Sequence, residues 1–276
     1  MACRDGTLYN VMDPVFLVDR ARLVDTARVR LDGPEGRHAA TVRRLRPGER
    51  IDLTDGAGLV TECRVTSAGR DELQLDVVAH RELARPQPRL TVVQAVPKGE
   101  RGQLAVELLT EVGVDVIVPW SAARCVTVWR AERGARSLAR WRSTSRAAAK
   151  QARRAWLPEV TALAGTAQVA DRLRAATLGL VLHEAADQPI GTFDPVPVTG
   201  EVVLVVGPEG GITEDELAVF AAAGAHCCRL GSTVLRTSTA GVAATAALLS
   251  RTARWSGPRY EPLTRASELG RTPSVS

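Results

Sequence analysis

EVVLVVGPEGGITEDELAVFAAAGAHCCRLGSTVLRTSTAGVAATAALLSR, residues Glu201 to Arg251, is the stretch on which the reading of the fold turns. Val202 to Val206 is an apolar run without polar alternation, the pattern of a strand buried on both faces of a parallel sheet. Gly207-Pro208-Glu209-Gly210-Gly211 follows, and glycines so dense allow a sharp turn and a ligand close to the backbone. Thr213 with Glu216 three residues on has the capping-box spacing, and Glu214 and Asp215 suit a positive helix N-terminus, so a helix starts at once. Its acidic first turn argues against a phosphate there. Gly224 ends this helix, and a short apolar segment leads to Leu230-Gly231. Ser232 to Thr239 is predicted to be a polar loop carrying Arg236. From Ala240 to Leu249 nearly every residue is small or aliphatic, a helix able to pack very closely on a neighbour. No G-x-G-x-x-G follows a strand and no G-x-x-x-x-G-K-[ST] occurs, so the common nucleotide fingerprints are excluded. The residues alone leave two readings: a ligand loop, or a βαβα segment turned by glycines.

Leu90–Val96, a helix over Gln103–Val112, Val114–Val118, Leu178–Leu182 and Val202–Val206 together have the βαβ rhythm of a mostly parallel sheet. The fourth segment ends in His183-Glu184, where His183 is either a base or a satisfied residue at a strand end. Pro86 and Pro88 mark a linker. Before it, Val15–Val18 reads as a short strand and Pro34 to about Leu45 as a helix containing His38. Ile51–Leu53, Leu59–Val65 and Leu73–Val78 alternate apolar and polar residues around two turn segments, the signature of a small antiparallel sheet or barrel. The expected organisation is therefore an α/β chain with a small β domain over residues 1–84 and a parallel α/β domain over 85–256. Residues 257–276, rich in Pro, Ser and Arg, are expected to be a disordered tail.

The chain carries a formal net charge of +5, and Lys98 and Lys150 are its only lysines, so the positive charge is nearly all guanidinium. Between Arg124 and Arg154 lie ten basic residues and the single acid Glu132. On a helix, Arg136, Arg140, Arg142, Arg146, Lys150, Arg153 and Arg154 fall in one arc of roughly 160° at about 100° per residue. Such a stripe is either a solvated face or a polyanion surface, and its unmixed sign favours the polyanion. Cys3, Cys63, Cys125, Cys227 and Cys228 are scattered without C-x-x-C spacing, which argues against a disulfide framework or a zinc site; no metal is expected. No signal pattern or membrane-length apolar run is present, so a cytoplasmic location is expected.

GPEGG, the helix after it and LGSTVLRTSTA resemble the closing motifs of the RsmE-type 16S ribosomal RNA (uracil-N3)-methyltransferases of the SPOUT superfamily. The resemblance implies a deep trefoil knot in an α/β domain, preceded by a PUA-like β-barrel. It implies S-adenosylmethionine held by three adjacent loops: Leu182, His183 and Glu184; Gly207, Pro208, Glu209, Gly210 and Gly211; and Leu230, Gly231, Ser232, Val234 and Leu235. RNA contacts are implied at Arg43, Arg44 and Arg46, where His38 to Asp55 fits a PUA-like pattern; each also reads as part of a solvated helix end. Lys98 and Arg101 sit in a KGER-like segment and are either contacts or local ion-pair partners. Arg142, Arg146, Lys150, Arg153 and Arg154 complete the implied RNA surface.

The family reaction moves a methyl group to N3 of a uridine in small-subunit ribosomal RNA. Arg236 is the candidate cation for the charge that develops, and Glu209 the candidate base or orienting group. A homodimer is expected from the small-residue helix and from the superfamily habit of building sites near a dimer interface. The chain departs from the family at Ser238, where RTETA is common and the carboxylate is missing. Two alternatives stand: methylation of another RNA atom, such as a ribose 2′-hydroxyl, and a non-catalytic RNA-binding factor in ribosome assembly.

Overall fold

The computed structural model describes residues 13–256, so the tail expected over 257–276 and Cys3 lie outside the described residues. These fall into two compact units, one of residues up to Ala84 with Arg153–Ala155, the other of Arg85–Ala152 and Trp156 onward.

The first unit is a five-stranded sheet. Its elements are β1 (Val15–Leu17), β2 (Arg28–Leu31), α1 (Gly33–Arg37) continued by a π-helical turn (His38–Val42), β3 (Arg50–Thr54), β4 (Leu59–Ala68) and β5 (Leu73–Glu82). Strand order is β1-β3-β4-β5-β2, with β1 parallel to β3 and the other pairs antiparallel. Two register shifts bend β4 against β5 and curl the sheet over a core of Phe16, Leu31, Ile51, Leu53, Leu73 and Leu75. The expected barrel is not closed among the described residues: β1 and β2 are opposite edges, each paired on one side only. β2 escaped the sequence reading because Arg-Val-Arg-Leu is too short for alternation to register.

The second unit is a six-stranded, wholly parallel sheet between two helical layers. It runs β6 (Arg89–Ala95), α2 (Arg101–Val112), β7 (Val116–Trp120), α3 (Ala131–Gln151), β8 (Glu159–Val160), α4 (Thr166–Ala175), β9 (Leu178–Leu182), β10 (Glu201–Val206), α5 (Glu214–Ala222), β11 (His226–Cys228), α6 (Thr237–Leu249) and α7 (Ala253–Ser256). Strand order is β11-β9-β10-β6-β7-β8. β10 is fully buried after Glu201 and paired on both sides, which is why its sequence shows no alternation. Leu90, Val92, Leu204 and Val206 meet Val106, Leu109, Trp141 and Leu248 of α2, α3 and α6 on one face. Val93, Val203 and Val205 meet Val169, Leu173 and Phe220 of α4 and α5 on the other.

α5 begins as its capping box predicts: Glu216 N donates to Thr213 Oγ1 at 3.2 Å and Thr213 N to Glu216 Oε2 at 3.1 Å. α6 begins three residues earlier than expected, at Thr237, because Arg236 takes the extended N-cap conformation and Thr237 and Ser238 turn inward and are buried. α7 is tied down by Arg254, which donates to Asp115 Oδ2 at 2.6 Å and to the Pro88 carbonyl at 3.0 Å.

On the curled sheet, Asp52 lies on β3 opposite Glu62 of β4, whose carboxylate takes Arg81 at 2.7 Å and Arg50 at 3.3 Å. Burial pushes the Asp52 carboxyl up to about 6, against which the Arg81 charge works only in part. A carboxyl whose folded pKa exceeds its unfolded value stabilises the fold while protonated. That contribution is complete below the unfolded value near 4 and is lost as pH rises through 6. Asp52→Asn is therefore expected to stabilise the protein by ~1–3 kcal/mol at pH 8 and to approach wild type below pH 4, read from urea midpoints across pH.

Candidate functional site

The order β11-β9-β10 sets three strand ends side by side, and the loops after them enclose an open cleft of about 330 Å³. Leu182, His183 and Glu184 form one wall, and Gly207, Pro208, Glu209, Gly211 and Ile212 a second. The third is Cys228 to Gly231 with Thr233 to Thr237 and Ala240, and Arg101 at the start of α2 completes the rim. Of the residues expected at the cofactor, Gly210 and Ser232 do not line the cleft.

The glycine loop is held by its own packing. A Cβ on Gly207 would stand 2.8 Å from Ile212 Cγ1, one on Gly210 would stand 3.0 Å from Arg124 Cβ, and Gly211 has φ +76°. The glycines thus answer a demand of the loop's own turn and packing, one of the two uses the sequence offered for them. Arg124 Nη1 donates to the Gly210 carbonyl at 3.2 Å, and the buried Glu216 carboxylate accepts from Ala123 N at 2.8 Å. The loop after β7 is thereby fastened to both the glycine loop and the start of α5.

Glu209 is a brace in this geometry. Its Oε1 accepts from Lys98 N at 3.3 Å and lies 3.6 Å from Arg101 Nη1, joining the loops after β6 and β10. An exposed pair of this length contributes about 0–1 kcal/mol, so it is easily exchanged for another partner. His183 Nδ1 accepts from Ala185 N at 3.3 Å, the structural role open to it from sequence. Arg236 is exposed, and its guanidinium has no hydrogen bond or ion pair with any described residue. Burial pushes the Cys228 thiol up to about 12, making it an unreactive apolar wall. Arg229 and Thr237 were missed by sequence reasoning. Arg229 Nη1 donates to the carbonyls of Ala186, at 2.8 Å, and Asp187, fastening the segment after His183 to β11. No spacing in the sequence announced that bond.

Of the basic residues, Arg43, Arg44 and Arg46 are exposed at the end of the π-helical turn, their guanidiniums without ion pairs among the described residues. Lys98 and Arg101 stand beside Glu209. On α3, Trp141, Ser145, Ala148 and Ala149 are buried while Arg136, Arg140, Arg142 and Arg146 are exposed. Arg142 Nε donates to the Val160 carbonyl at 3.1 Å; Arg142 and Arg146 line a shallow cleft with Ser143, Ser145, Leu157, Pro158 and Val160. The stripe is shorter than expected. α3 stops at Gln151, and Arg153 with φ +55° turns the chain, so Arg153 and Arg154 leave the helical face. No group of three His, Cys, Asp or Glu side chains among the described residues converges to hold a metal. No helix among them is long and apolar enough to cross a membrane.

A wholly parallel sheet with a loop-lined cleft at its carboxyl edge and a basic helix defines a ligand-binding α/β protein. The family model described as an RNA methyltransferase domain matches residues 85–249, and that described as an RNA methyltransferase PUA domain matches residues 31–78. The chain belongs to this RNA methyltransferase family. It is 47% identical over 246 residues to ribosomal RNA small subunit methyltransferase E of Mycobacterium bovis, covering 87% of this chain and 93% of that one. Among solved structures it resembles the enzyme of the same name from Neisseria gonorrhoeae bound to S-adenosylmethionine, with TM-score 0.76 and 28% identity, covering 87% of this chain and 98% of that one. A methyltransferase of Legionella pneumophila in complex with the same cofactor aligns with TM-score 0.78 and 25% identity, covering 88% and 99%.

Gly207→Ala is expected to cost ~1–3 kcal/mol, because its Cβ drives into Ile212 within a packed loop. Adding Ile212→Val should recover part of the loss, measured as urea midpoints of the single and double variants.

Proposed function

We propose that the protein is an S-adenosylmethionine-dependent methyltransferase acting on N3 of a uridine in 16S ribosomal RNA of the small subunit. The observation that carries this reading is the cleft: three loops from adjacent parallel strands enclose one open site in a fold whose relatives are bound to that cofactor. Leu182, Val206, Ile212 and Leu230 offer apolar surface for a planar base, while backbone groups of the three loops and the carboxylates of Glu184 and Glu209 suit a ribose and a cation. The residues present fit the cofactor, which supplies a methyl carbon made electrophilic by the attached sulfonium.

This chain's part in the reaction is to hold the nucleophile in line and manage charge. As N3 loses its proton, negative charge spreads over the uracil carbonyls, and the unpaired Arg236 guanidinium on the cleft wall meets it. Glu209 serves as proton acceptor once Arg101 turns to an incoming phosphate, or otherwise orients Lys98 and Arg101. The RNA lies on Arg142, Arg146 and the exposed face of α3, with Arg43, Arg44 and Arg46 of a PUA-like module as further contacts.

In this reading residues 1–84 are the PUA-like RNA-binding domain and 85–256 the SPOUT domain. The C-terminal segment is knotted, in keeping with α6 packing on α2, β6, β10 and the turn at Ile190–Thr192. The protein works in the cytoplasm as a homodimer through the small-residue face of α6.

Purified protein is expected to transfer labelled methyl to small ribosomal subunits, with the label recovered as 3-methyluridine. Arg236→Ala should keep cofactor affinity while transfer falls about 10²-fold or more, the scale for losing a group that meets developing charge. Label in another nucleoside would sink the target atom, and no label despite saturating cofactor would favour a binding factor. Sedimentation at micromolar concentration should give twice the chain mass of 29.5 kDa.

A further inference from the structure

Gln94 is the one polar residue on its face of β6, where Leu90 and Val92 also point toward α2 and α6, and it is completely buried. An amide in such surroundings costs free energy unless every polar atom is matched. Its Nε2 donates to Thr237 Oγ1 at 3.0 Å and to the Ala95 carbonyl at 3.2 Å. Thr237 Oγ1 donates in turn to the Gly207 carbonyl at 2.8 Å. The direction is forced: the Gly207 oxygen only accepts, so the one hydroxyl proton of Thr237 goes to it and Thr237 must accept from the amide. Gln94 Oε1 is left without a partner. A methionine would fill similar space without an orphaned acceptor, so packing alone does not account for the amide.

The relay joins three chain segments: the end of β6, the first residue of the glycine loop and the first residue of α6. Gly207 and Thr237 belong to two walls of the cleft, and Arg236 precedes Thr237. We infer that Gln94 and Thr237 are positioning residues for methyl transfer, which set the Arg236 guanidinium and the glycine loop at fixed separation across the cleft. They act through Arg236 and Gly207 and touch no reacting atom. This inference rests on the proposed methyltransferase reading.

The test compares Thr237→Val, which keeps the shape and removes the hydroxyl, with Thr237→Ser and Gln94→Met, each alone and combined with Arg236→Ala. Cofactor affinity, kcat, KM and melting temperature are measured for each. Thr237→Val and Gln94→Met are expected to lower kcat about tenfold, on the scale of one buried hydrogen bond. Thr237→Ser should restore it, and each loss should shrink in the Arg236→Ala background, since residues acting through a shared group are non-additive. Unchanged kcat in a folded Thr237→Val overturns the inference, as does a loss that adds fully to that of Arg236→Ala. If Thr237→Val does not fold, Gln94→Met decides by the same two criteria. Failure of the underlying reading is distinct: wild-type protein would then neither bind S-adenosylmethionine nor transfer methyl.

Discussion

β10 is hydrogen-bonded to β6 on one side and β9 on the other over nearly its whole length, and the remaining geometry of the second unit follows from that double pairing. A strand fixed on both edges and covered on both faces cannot slide, so the residue after it, Gly207, leaves the sheet at one defined point. β9 fixes Leu182 to Glu184 in the same way, and β11, paired to β9, fixes the start of the third loop. Three loops meet because three strand ends are in register, and the cleft is a consequence of the ladder.

Above the sheet, polar bonds take over from apolar burial. Glu216 caps α5 and reaches the loop after β7; Arg124 returns from that loop to Gly210; Glu209 reaches the loop after β6; Arg229 holds the segment after β9. Each wall is thus fastened to a neighbour by a charged side chain bonded to backbone. Against this background the Arg236 guanidinium stands out chemically, because it is exposed beside the cleft and bonds to no described residue.

Much of this was legible in the sequence wherever one residue type has one physical use. An apolar run without alternation gave β10, and the Thr213–Glu216 spacing gave the start of α5. What was misread depended on packing between distant residues. The glycines of the loop were read as serving either a turn or a ligand, and the contacts that demand them, with Ile212 and Arg124, could not be seen from sequence. The end of α3 fell before Arg153 because the chain turns there with positive φ, which arginine composition does not announce. α6 starts at Thr237 because its hydroxyl finds a carbonyl thirty residues earlier. Arg229 was invisible for the same reason, its partners being carbonyls that carry no sequence signature.

The order β11-β9-β10-β6 also bears on how the chain reaches this state. β6 and β7 are close in sequence and pair early at little entropic cost, but the other edge of β6 belongs to β10, with Leu90 opposite Val202. β9 emerges first and must wait, since pairing directly with β6 would fill the place of its successor. The edge of β6 therefore stays open across the whole stretch of chain between Leu90 and its partner Val202. Late insertion of a central strand at such sequence separation is a high-contact-order step, which makes slow folding and a transiently sticky edge a built-in cost of placing these three loops together.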